Sequence, residues 1–194
     1  MKKIIKNIIY AILGILMIIA FIYLGTKDYE EKTVVLKDNE IMHNNFNLVP
    51  LDNNYKILKN TEVPKFINNN TGVILFCMKE SKWCNYYAYL VHEASKELSI
   101  ETVYYFDILT DRQENSYYYQ KVITATKDYL PKNDLGDYIV NVPDIYIIKN
   151  GIILGHNNET SWTYGNVTPD EYWTLEKQEE FINALKETFS KLEN

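Results

Sequence analysis

The chain has 194 residues, 46% of them hydrophobic, and a formal net charge of -6. That is enough for one folded domain with a sizeable core. Acidic residues outnumber basic ones 26 to 20, and Lys2, Lys3 and Lys6 crowd at the N-terminus, so the remainder is more acidic still; this excludes the basic footprint of a nucleic-acid binder. Two cysteines make no disulfide framework, and His43, His92 and His156 are too scattered for metal-ligand spacing, so neither a metal nor another cofactor is expected.

At the N-terminus, residues 2–6 (KKIIK) are basic, and the run from Ile8 to Leu24 carries no charge. As a helix this run measures about 26 Å, close to the hydrocarbon thickness of a bilayer. No small-x-small pair precedes a plausible cleavage point, which favours an uncleaved signal anchor over a removed signal peptide. The expectation is a single-pass anchor over residues 1–26, with the membrane as partner. The flanking lysines would hold the N-terminus in the cytoplasm and leave the rest extracytoplasmic.

Residues 27–50 mix charge with asparagine and lack a sustained apolar period, which reads as a stalk with a short strand at "TVVL". The folded domain is then 51–194. Tyr55–Leu58 is a candidate strand, and "NTEVPKFINNN" a short helix with Pro64 in its first turn. "TGVILFC" is a continuous apolar run of strand length, predicting a central strand covered on both faces. Tyr87, Leu90, Val91, Ala94 and Leu98 recur at helical spacing. Glu101–Leu109 forms the next strand and completes a βαβ unit. Residues 111–130 read as one helix ended by Pro131. Two β-rich runs, Ile145–Ile148 and Ile152–Leu154, flank Asn150-Gly151, a strong hairpin signal. A polar, aromatic-containing insertion spans 157–175, and an amphipathic helix carrying Phe181, Ile182, Leu185 and Phe189 closes the chain. The fold class is α/β.

The segments "GVILFCMKESKWCNYYAYLVHEA", "VYYFDIL" and "VPDIYIIKNGIIL" resemble the thioredoxin-like family, especially its extracytoplasmic and bacteriocin-transport-accessory members. The resemblance covers Tyr55–Leu154 and the last helix, and leaves out 157–175. It implies a βαβ plus ββα arrangement around a mixed sheet. It lays Ser81-Lys82-Trp83-Cys84 on the family's Cys-x-x-Cys, so that Cys84 takes the resolving cysteine's position and Ser81 stands where the attacking thiol belongs. Leu75 replaces the family's buried aspartate. Val142-Pro143 matches the cis-proline that presents the preceding backbone to a peptide.

Ser81 is also a good N-cap for the following helix. Cys77, immediately after its strand, faces the start of the helix that carries Cys84. Three states are open to the pair: a cycling redox couple, a permanent bridge, or two small buried residues. Asp107 reads as a capping or loop-positioning residue. Trp83, Tyr86, Trp162, Tyr164, Tyr172 and Trp173 form either an exposed aromatic surface or a cover for the core. The leading expectation is a thioredoxin-like protein without ordinary dithiol activity that binds an exported peptide or protein through Ser81, Trp83, Val142 and Pro143. The alternatives are a divergent thiol–disulfide oxidoreductase using Cys84 with Cys77 as catalytic residues, and a structural or immunity-type surface protein.

Overall fold

The computed structural model describes residues 2–27, 35–79, 81–162 and 167–192, and the chain divides into two compact units, Met1–Val35 and Leu36–Asn194. The first unit is built on one helix, α1 (Lys2–Lys27). Its apolar run is free of proline, and side chains such as Ile12, Leu16 and Ile19 are exposed. Among the described residues no helix is long and apolar enough to cross a membrane. This overturns the expected single-pass anchor at residues 1–26 and the cell-membrane localisation, with an extracytoplasmic domain, that rested on it. The charge-free run, Ile8–Leu24, stands at the short limit of what a bilayer-spanning helix needs, and the basic residues before it add no apolar length.

The stretch read as a stalk is also corrected, because from Leu36 onward it belongs to the second unit. Helix α2 (Asp38–Asn45) starts where Glu40 Oε2 accepts a hydrogen bond from the Lys37 N–H at 2.8 Å. Met42, Phe46 and Val49 are fully buried in the core of this unit. Only Met42 lies within the helix and Phe46 and Val49 follow it, so three apolar residues among asparagines make no sustained helical period. Of the "TVVL" strand, Thr33 and Val34 lie outside the described residues, and Val35 and Leu36 form no strand.

A five-stranded mixed sheet organises this unit: β1 (Tyr55–Ile57), β2 (Gly72–Cys77), β3 (Val103–Asp107), β4 (Asp144–Lys149) and β5 (Ile152–Asn157), in the order β1-β3-β2-β4-β5. The first three are parallel, and β4 runs antiparallel to both β2 and β5. The unbroken apolar run of β2 therefore sits at the centre, buried on both faces. One face packs Val73, Leu75, Ile145 and Ile147 against α4 (Lys82–Glu97) and α8 (Leu175–Phe189). The other packs Ile74, Phe76, Tyr146 and Ile148 against α3 (Val63–Asn69) and α6 (Tyr117–Thr126).

The hairpin turn matches its sequence signal: Asn150 and Gly151 both have positive φ, 51° and 76°. A Cβ at Gly151 would lie 2.0 Å from the Asn68 carbonyl oxygen, so a side chain there requires a backbone shift.

The single helix expected over 111–130 is instead two, α5 (Leu109–Gln113) and α6. Asn115 takes φ 48°, and Ser116 Oγ accepts from the Tyr119 N–H at 3.1 Å, so a capped new start replaces continuation. In the expected insertion, β5 runs on to Asn157 and a short helix, α7 (Pro169–Tyr172), follows.

Candidate functional site at the end of the central strands

Strand β2 delivers Cys77 to the sheet's end, where its carbonyl accepts from the Ile108 N–H at 3.1 Å. The chain then turns into α4. Ser81 is its N-cap, with Oγ accepting from the Cys84 N–H at 3.4 Å, and this brings Cys84 into the first turn. The two Cα atoms lie 5.8 Å apart, and the sulfurs are joined in a disulfide. Both cysteines are completely buried. Cys84 Sγ also accepts from the Met78 N–H at 3.4 Å. The bond excludes two unlinked cysteines and is common to a permanent bridge and the oxidised form of a redox couple; neither cysteine is a free thiol.

The Val142–Pro143 peptide is cis. It immediately precedes β4, whose first residue, Asp144, pairs with Phe76 next to Cys77. Pro143 is buried and Val142 half-buried. Among the described residues neither the N–H nor the C=O of Val142 has a hydrogen-bond partner. Asp107, at the end of β3, accepts from the Leu109 N–H at 3.0 Å and the Lys79 N–H at 3.4 Å, a capping and loop-positioning role.

The aromatic residues divide. Trp83 turns to Tyr172, with ring centroids 5.5 Å apart, and Tyr172 leads through Trp173 to Phe181. Trp173 is buried in the core, so this part of the segment acts as a cover. Burial and the hydrogen bond to Glu159 push the Tyr172 phenol up to about 12. Tyr86 donates to Asp170 at 2.7 Å. Tyr164 and the side chain of Trp162 lie outside the described residues.

Two features of this region escaped the sequence reading. The first is a buried polar cluster on the opposite face of the sheet from the disulfide. Asp144, fully buried, meets His156 Nε2 at 2.6 Å and accepts from the Tyr146 hydroxyl at 2.9 Å. Tyr129 packs over His156 at 5.5 Å between ring centroids. Asp144 Oδ1 and His156 Nε2 have no hydrogen-bond partner elsewhere among the described residues, so each depends on the other. Burial raises the Asp144 carboxyl to about 6, against the opposing pull of His156 and Tyr146. A signal was present: a carboxylate opens β4, and pairing across Asn150-Gly151 sets His156 opposite Tyr146, the next residue on the same face as Asp144.

The second is Arg112 on α5. Its Nη1 donates to the Val140 carbonyl at 3.3 Å, and its Nη2 lies 3.7 Å from Met78 Sδ. It thereby ties the segment before Pro143 to the loop after Cys77. Arg112 also lines a cavity of about 590 Å³ between the start of α6 and residues 133–139. Asn115, at the break between α5 and α6, lines it as well.

The chain matches no protein-family model and no curated protein.

Proposed function

We propose that this chain is a thioredoxin-like protein that binds an extended peptide beside Val142–Pro143 and does not cycle its cysteines. The sheet order β1-β3-β2-β4-β5, with β4 alone reversed against the parallel strands, supports the family reading, as does the cis bond at the proline that the resemblance singled out. The observation that carries the functional reading is burial. Both sulfurs belong to fully buried residues, and exchange needs a thiolate to approach a disulfide sulfur from outside. Ser81, at the family's attacking position, is occupied as a helix cap. The Val142 backbone, by contrast, keeps a donor and an acceptor for a peptide that adds to the end of β4 in the manner of strand augmentation.

A second reading, thiol–disulfide exchange by Cys84 with Cys77, is favoured by the Met78 N–H on Cys84 Sγ, a donor that would stabilise a thiolate. One pair of measurements separates the two. In an insulin-reduction assay with dithiothreitol the chain should give no acceleration over buffer, and thiol titration of the native protein should find no reactive cysteine. Acceleration abolished by Cys84→Ala would overturn the proposal in favour of exchange. A chain that neither exchanges thiols nor binds peptides is a scaffold.

A further inference from the structure

The cavity against Arg112 has the chemistry of a second half to this peptide site. Its lining ends at Ile139, and three residues further on stands Val142. In extended chain that is about 10 Å, so a peptide paired with Val142 reaches the cavity within a few residues. Arg112 belongs to both regions: it lines the cavity and holds the Val140 carbonyl that leads into the cis-proline.

The polar lining is specific in kind. Arg112 is its one cation and Asp137 its one anion, with the amides of Asn115, Gln120 and Asn133 and the ring of Tyr138 beside them. The carboxylate next to Arg112 in sequence, Asp111, is buried and takes hydrogen bonds from Asn60 at 3.2 Å and from Ser116, so it is engaged away from the cavity. Lys132 Nζ lies 4.8 Å from the centroid of the Tyr138 ring, which lines the cavity. With one hydrogen of Nη1 on Val140 and one of Nη2 toward Met78, the half-buried guanidinium keeps three of its five N–H donors for a carboxylate, and Asp137 can accept the N–H groups of the same peptide.

We infer that the cavity takes a carboxylate of the bound peptide, from an acidic side chain or the C-terminus, on Arg112. This rests on the peptide-binding reading above. The probes are fluorescein-labelled heptapeptides on a valine- and threonine-rich extended frame, with Glu or Gln at each position in turn. Each is made with a free and with an amidated C-terminus and titrated against the full chain by anisotropy. The expected result is tighter binding of Glu over Gln peptides at one position, or of free over amidated C-termini, by about tenfold. Arg112→Gln removes that preference.

Because Arg112 also supports Val140, Asn115→Asp supplies a second variant: it adds negative charge at the cavity while keeping the acceptor that Gln120 uses and a residue tolerant of positive φ. It should weaken the carboxylate peptides several-fold more than the neutral ones. A chain that binds Glu and Gln, free and amidated peptides equally overturns this inference and leaves peptide binding standing. A chain that binds none of them overturns both.

Discussion

At the Cys77 end of β2 the two faces of the sheet are secured in different ways. On the α4 face, Cys77 and Cys84 are joined by a covalent bond amid apolar side chains. On the α6 face, across the pairing of Phe76 with Asp144, the same end is held by Asp144, His156 and Tyr146. The first depends on redox state and not on pH. The second depends on proton occupancy and not on reductant. The cis-proline segment leads into Asp144 at this end, and among the described residues the Val142 N–H and C=O have no hydrogen-bond partner. The peptide site proposed at Val142 needs rigidity behind the strand and an open ladder in front of it.

The largest effect should come from the polar side. His156→Ala leaves a buried carboxylate without the imidazole that faces it at 2.6 Å, and at pH 8 should cost about 3–5 kcal/mol in urea unfolding. At pH 5, where the carboxyl can protonate, the loss should be smaller. An equal loss at both pH values would break the assignment of that cost to charge.

Wild-type stability should itself depend on pH through Asp144. Its folded pKa of about 6 lies above the ordinary value of 3.8, so the folded state holds the proton more tightly. The resulting stabilisation is complete below pH 4 and is lost as pH rises through about 6, up to about 3 kcal/mol. The difference between wild type and Asp144→Asn, followed by denaturant unfolding from pH 4 to 8, isolates that contribution. A flat difference would remove Asp144 as the titrating group.

The covalent side should give less. The cysteines are seven positions apart, and loop closure of that size is worth about 2–3 kcal/mol, so Cys77→Ala with Cys84→Ala should lower stability by that amount at every pH. If the double variant instead shifts the pH profile, the two faces are coupled. Smallest of all, Ser81→Ala removes the α4 cap and should cost about 1 kcal/mol in the same assay, leaving the disulfide formed.

How far the sequence could be read depended on the range of the interaction. The β2 run, the α4 and α8 faces and the Asn150-Gly151 turn were legible because neighbours in sequence carry the pattern. The break at Asn115 was not, since Ser116 and Asp111 compete with helix continuation only once both are in reach. Residues 38–50 hid their role because Met42, Phe46 and Val49 are apolar islands in a polar stretch, and only the rest of the core shows why they are buried. Of the expected site residues, Cys77, Cys84, Ser81, Val142 and Pro143 gather at one end of the sheet, whereas Trp83 is drawn to Tyr172. Arg112 and Asp144 carried no local mark beyond their charge.

The sequence alone determined the α/β elements, the central position of β2, the capping of α4 by Ser81 and the hairpin, because periodicity, capping and turn chemistry act within a few residues. Only the tertiary structure decided that Cys77 and Cys84 are bonded and buried, that Asp144 and His156 neutralise each other's isolation, and that Arg112 stands between a cavity and the cis-proline. Those three facts depend on distances between residues that the chain keeps apart, and such distances are set by how the sheet and helices pack.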